Sequence, residues 1–152
     1  MSGTGKIKPG YARSLDLKHG CIEMAHGSGG RAMAQLINQL FLAAFDNEFL
    51  RPMNDQASFP VFNGRMVMST DSHVITPLFF PGGDIGSLSV HGTINDVAMS
   101  GAKPCYLAAS FILEEGFPLS DLKRIADSMA QAARAARVPI VTGDTKVVEK
   151  GS

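Results

Sequence analysis

Four aspartates in this 152-residue sequence, Asp55, Asp71, Asp96 and Asp144, are placed where they could act together. Asp71 and Asp144 each end a short apolar run, at 66–68 and 138–142 respectively. Asp96 lies in Ile94-Asn95-Asp96-Val97-Ala98, an apolar setting for a carboxylate, and Asp55 lies in Asn54-Asp55-Gln56-Ala57. Carboxylates at strand ends can meet at one edge of a sheet, where they repel one another unless a hard cation sits between them. Magnesium prefers oxygen ligands and shares them with phosphate oxygens, which makes it the natural cation. The plainer alternative is that each aspartate solvates a loop or caps a turn.

Three further groups could take part. His26-Gly27-Ser28-Gly29-Gly30 stands directly before a helical pattern. Its glycines let backbone N–H groups approach an anion closely, and a following helix adds partial positive charge. It is neither a Walker A loop nor a GxGxxG after a strand, and a flexible link into the helix is the alternative. His91 and Asn95 are four residues apart and share a helix face, with Gly92 between them. A glycine there costs about 1 kcal/mol against alanine, so close packing or a close ligand must justify it. In Thr142-Gly143-Asp144-Thr145-Lys146, Asp144 is a candidate metal ligand, Thr145 a phosphate donor, and Lys146 a counter-charge or nucleophile activator. An ordinary turn opening a new strand is the alternative. His73 follows Asp71 by two residues and would share its face on a strand.

The elements that must hold these residues follow from periodicity. Met33, Leu36, Ile37, Leu40, Phe41 and Ala44 predict a helix over 31–45. A polar, proline-bearing stretch runs from 47 to 60, and 65–70 predicts a strand stopping at Asp71. Asp84 is the expected N-cap and Gly101 the expected C′ residue of a helix over 84–100. A strand over 106–113, a helix from a Ser120 cap to about Ala136, and a short strand over 138–142 complete the series. Helices and strands alternate, which predicts an α/β or α+β sandwich. The methionine-rich stretches around Met66 and Met99 read as core, and residues 1–20 as a flexible amino-terminal arm.

Composition narrows the function. Lys+Arg and Asp+Glu both number 14, so no basic excess points to nucleic acid or an anionic membrane. Cys21 and Cys105 stand outside any CxxC or Cys/His cluster, which argues against structural zinc and for reduced thiols in a cytoplasmic protein. No apolar stretch is long enough to span a bilayer.

Taken together, HGSGG at 26–30, STDSHVITPLFFPGGDIG at 69–86, HGTINDVAMSGAKP at 91–104, FILEEGFP at 111–118 and IVTGDTKVVEKG at 140–151 resemble one superfamily of ATP-binding proteins. It includes aminoimidazole ribonucleotide synthetase, selenophosphate synthetase, thiamine monophosphate kinase and the HypE family of hydrogenase-maturation proteins, which the motifs resemble most. The resemblance covers about residue 22 onward. It implies the amino-terminal α+β domain of that superfamily over 21–152, a mixed sheet with helices on one face, dimerising through the sheet to bind ATP near the interface. For HypE proteins it implies an ATP-dependent carbamoyl dehydratase, which converts a carboxy-terminal cysteine thiocarbamate to thiocyanate for the cyanide ligands of nickel-iron hydrogenase. The carbamoyltransferase HypF and the HypC–HypD complex would be partners.

Carried over by motif, Asp55, Asp71, Asp96 and Asp144 would hold Mg2+ and phosphate, and Gly27, Ser28, Gly29 and Gly30 would cover the phosphates. Asn95 and Thr145 would support the nucleotide, and Lys146, a candidate catalytic residue, would lie near the acceptor cysteine; His91 is a second catalytic candidate from its place beside Gly92 and Asn95, a packed, hydrogen-bonded histidine being the alternative. The family's Pro-Arg-Ile-Cys tail and second domain are not in this sequence, so the chain is expected not to complete the dehydration alone. The alternatives are another ATP-dependent enzyme of the superfamily and a non-catalytic dimerisation or partner-docking module.

Overall fold

The computed structural model describes residues 14–60 and 63–151. A 3-10 turn, Met24–His26, leads into a helical segment made of α1 (Arg31–Leu36), a π-helical turn (Ile37–Phe41) and α2 (Leu42–Phe45). The hairpin strands β1 (Phe79–Phe80) and β2 (Gly83–Asp84) precede α3 (Ile85–Met99). Then follow β3 (Leu107–Glu114), α4 (Leu119–Ala136) and β4 (Ile140–Val148).

The centre is a β3–α4–β4 unit. Its strands pair in parallel from Leu107↔Ile140 to Glu114↔Val148, with an irregularity after Leu107 that leaves Val141 unmatched. Burial alternates along β3, so Ala109 and Leu113 face the core while Ile112 faces out. Alternation of this kind needs a cover on one side only. α4 supplies it: Leu122, Ile125, Ala126, Met129 and Ala133 are buried at helical spacing. One core cluster joins Ile22, Leu36, Leu40 and Phe41 to Leu113, Leu119 and Leu122. A second joins Val90 to Ala109, Met129 and Ile140, and Phe111 packs against both. Phe41 lies against Phe111 with ring centroids 4.7 Å apart.

α3 packs on α4 across a close contact. A Cβ at Gly86 would lie 2.4 Å from the Ile125 carbonyl oxygen, so only glycine permits that approach. Asp84 caps α3 as expected, its Oδ1 accepting from the Ser87 N–H at 3.0 Å. Gly101, with φ +78, takes the left-handed conformation just beyond the helix.

Several expectations need correction. The helical stretch 31–45 is present, but five of its residues form a π-turn. α4 begins after Pro118 rather than at a Ser120 cap; the proline is extended at φ −63, and its carbonyl accepts the Leu122 N–H. β4 does not stop at Gly143-Asp144 but runs to Val148, because its partner β3 continues to Glu114. Asp144 therefore sits within a strand. Residues 65–70 are in no strand, and none of the described residues offers them a ladder. The described strands form a parallel pair and a separate antiparallel pair within an α+β fold. The methionine-rich stretches are not core: Met66, Met68 and Met99 are 71, 94 and 86% exposed. Of the expected arm, residues 1–13 lie outside the described residues. Residues 14–20 carry a turn on Asp16, and Leu15 and Leu17 pack against the first core cluster.

Candidate nucleotide site

Asn47 fixes the chain as it leaves α2. Its amide donates to the carbonyls of Phe45 (2.9 Å) and Ile140 (2.8 Å), and its Oδ1 accepts from the Phe49 N–H (3.0 Å). The following stretch is thereby tied to the start of β4. Phe59 stacks on Tyr106 at 4.5 Å, and Thr142 Oγ1 donates to the Asp55 carbonyl at 3.3 Å. The result is a cavity of about 280 Å3. Ile37, Phe41, Leu42 and Phe111 are among its apolar lining, and Asp55, Thr142, Asp144 and Thr145 stand at its polar side.

Asp144 is exposed, and Lys146 lies two residues on along the same face of β4. The Lys146 ammonium is 3.2 Å from Asp144 Oδ2, and the Thr145 N–H donates to Asp144 Oδ1 at 2.8 Å. These contacts, the lysine first, hold the Asp144 carboxyl below the ordinary aspartate range. Thr145 itself is buried.

Asp96, on α3, and Asp71, on the segment packed against that helix, stand apart from the cavity residues. The segment 69–73 lies along the helix: Ser69 Oγ donates to Asp96 Oδ2 at 3.2 Å, and His73 Nε2 is 3.3 Å from Asp71 Oδ2. Gly92 explains how it lies so close. A Cβ there would come 2.8 Å from His73 Nε2 and 3.8 Å from Asp71 Oδ2. The glycine read from the sequence as a close-approach position thus receives the His73–Asp71 pair. His91 and Asn95 are exposed on the same helix.

Asp55 and Asp144 thus share the cavity, while Asp71 and Asp96 stand at the surface of α3. Among the described residues no three histidine, cysteine, aspartate or glutamate side chains converge on one point. The segments carrying Asp55 and Asp71 lie outside the described strands, so no ladder fixes their places. The donors present are nevertheless carboxylate oxygens with serine and threonine hydroxyls nearby, the chemistry that suits a hard cation.

The glycine run stands beside β4. A Cβ at Gly27 would lie 2.8 Å from both the N and Cβ atoms of Val147, the residue after Lys146. Gly29 and Gly30 have φ of +76 and +82 and face open space, and Ser28 is exposed. Sequence reasoning missed Ser69 and the anchoring role of Asn47. A serine two residues before Asp71 was a usable signal for the first, whereas the second depends on a contact 93 residues away.

Fold and site together define an AIR synthase-type domain. Residues 53–152 match the family of AIR synthase related proteins, N-terminal domain, and the chain belongs to that family. Within it, the chain is similar to the carbamoyl dehydratase HypE of Cupriavidus necator, 74% identical over an alignment 152 residues long that covers 99% of this chain and 43% of that protein. The HypE of Escherichia coli is 57% identical over 136 residues, covering 86% of this chain and 40% of that protein. A crystal structure of the hydrogenase maturation protein HypE in complex with ATP superposes with a TM-score of 0.82 at 56% identity, over 85% of this chain and 38% of that one. HypE in a HypE–HypF complex superposes with a TM-score of 0.58 at 59% identity, over 77% of this chain and 37% of that one. The chain thus spans about two-fifths of the length of these relatives.

Proposed function

We propose that this chain is the ATP- and magnesium-binding part of a HypE-type carbamoyl dehydratase acting in nickel-iron hydrogenase maturation. One observation carries the reading. A single cavity sets Asp55, Asp144 and Thr145 at the polar side of an apolar slot, with Lys146 beside it, in a chain similar to a protein solved with ATP. The apolar side suits a base and the polar side suits phosphates.

Asp55, Asp71, Asp96 and Asp144 are the residues that would hold Mg2+, whose bound charge would offset that of the phosphates. Ser28, Gly29 and Gly30 offer backbone N–H groups to the phosphates, while Gly27, whose N–H donates to the Met24 carbonyl, sets the run against β4; Thr145 lines the slot, and Asn95 supports the nucleotide from α3. Lys146 keeps an ammonium at the phosphate end, steered by Asp144 at 3.2 Å. His91 stands on α3 as a candidate proton carrier. The reaction transfers a phosphoryl group from ATP to the carboxamide oxygen of a cysteine thiocarbamate. Loss of that oxygen as phosphate, with the amide protons, leaves a thiocyanate. Positioning and charge stabilisation are what a protein contributes to such a step.

The acceptor cysteine belongs to the carboxy-terminal tail of HypE proteins, so the activity is one of the whole protein. HypF would supply the carbamoyl group, and the HypC–HypD complex would receive the cyanide. A homodimer formed through the sheet fits the exposure of Met68 and Ile112, and the same surface favours a second reading, a dimerisation module that docks partners. Free Cys21 and Cys105 fit a cytoplasmic protein; no helix among the described residues is long and apolar enough to cross a membrane.

Mass spectrometry of the full-length protein, incubated with HypF, carbamoyl phosphate and ATP, tests the reading. The expected product is a cyanated carboxy-terminal cysteine, and Asp144→Asn stops at the carbamoylated form. Cyanation undiminished in Asp144→Asn would refute the assignment.

A further inference from the structure

We propose that His26 is a positioning residue for the glycine run, fixing through its imidazole where Gly27 to Gly30 stand beside β4. This role rests on the proposed function, in which that run covers the phosphates of ATP.

His26 is 6% exposed, although it adjoins a run open to solvent. Its Nδ1 accepts the Glu23 N–H at 2.9 Å, which requires the neutral tautomer with its proton on Nε2. The same turn is closed by two backbone bonds, His26 N–H to the Glu23 carbonyl at 2.9 Å and Gly27 N–H to the Met24 carbonyl at 3.0 Å. Ser28 Oγ donates to the Ala25 carbonyl at 3.2 Å. Residues 23–28 are thus bound into one knot, and Gly27 presses that knot against Val147.

Beyond it, among the described residues, the run is joined to α1 by the Ala34 N–H, which donates to the Gly30 carbonyl at 3.0 Å. Gly29 and Gly30 have no neighbour within 4 Å of where a side chain would begin. Gly30 precedes α1 without any side-chain cap. The run is thus held at its start by the turn before it, and the imidazole of His26, accepting the Glu23 N–H, closes that turn's mouth. An apolar residue at position 26 would leave the Glu23 N–H without this acceptor and free the run to shift relative to Lys146. Asparagine can replace the bond, since its Oδ1 accepts from a similar position.

The test is competition calorimetry on the full-length protein with ATP and with AMP in excess magnesium, for the parent, His26→Leu and His26→Asn, with circular dichroism on each. The parent is expected to bind ATP. His26→Leu should lose about tenfold in ATP affinity, the scale of one hydrogen bond, with AMP affinity unchanged. His26→Asn should regain most of the loss. Equal losses for ATP and AMP, a full loss in His26→Asn, or parent-like ATP binding in His26→Leu would each overturn the positioning role while leaving the nucleotide site standing. Failure of the parent to bind ATP would overturn both.

Discussion

Asp144 and Lys146 are neighbours on one face of a strand, and each sets the other's charge. The lysine ammonium and the Thr145 N–H keep the Asp144 carboxyl below its ordinary value of 3.8, so the group stays ionised into mildly acidic solution. A depressed carboxylate contributes stability above the ordinary value and loses it as the pH falls through the lower folded one. The pair is exposed, so that contribution is small. Its importance lies in where the ammonium points. Lys146→Ala is expected to raise the Asp144 titration toward the ordinary aspartate value, read by carboxyl NMR, with little change in thermal stability at neutral pH. A titration that does not move would show that the lysine is not the main cause.

Between elements, the close approaches are made by glycine. Gly92 admits His73, and through it the segment bearing Asp71, to the surface of α3. In Gly92→Ala the helix gains about 1 kcal/mol of propensity, while the new Cβ meets the end of an adjustable histidine side chain. Global stability should therefore change by no more than about 1 kcal/mol. Magnesium-dependent nucleotide binding should fall several-fold, because Asp71 is displaced; unchanged binding would mean that Asp71 takes no part. Much of this level was legible. The i, i+3, i+4 pattern of α4 and the Asp84 and Gly101 boundaries of α3 are local properties, and they stand as read. Residues 65–70 misled because their apolar character signals burial without saying by what. β4 was read too short because Gly143 and Asp144 look like a turn. What extends the strand is pairing with β3, where a Cβ at Gly143 would lie only 2.1 Å from the Ala109 carbonyl oxygen. The aspartates are legible as residue types, but which of them share a cavity or a helix surface depends on long-range packing that no local spacing encodes.

Among the described residues, one face of the β3–β4 pair is bare. Ile112 on β3 is 76% exposed, and Met66, Met68 and Val74 expose apolar side chains in segments without a ladder. The proposed homodimer would cover such a surface in both copies through a two-fold axis. Ile112→Asp is expected to shift the protein from dimer to monomer in light scattering while circular dichroism stays native; a persistent dimer would place the interface elsewhere. The four aspartates and the glycine run are proposed to serve one purpose, which is to hold a magnesium-bound nucleotide. The decisive measurement is calorimetric titration with ATP, with and without magnesium, on the parent chain and on an Asp71→Asn, Asp144→Asn variant. Magnesium-dependent binding is expected in the parent, and its loss in a variant with native circular dichroism. Equal magnesium-dependent binding by both proteins would contradict that purpose.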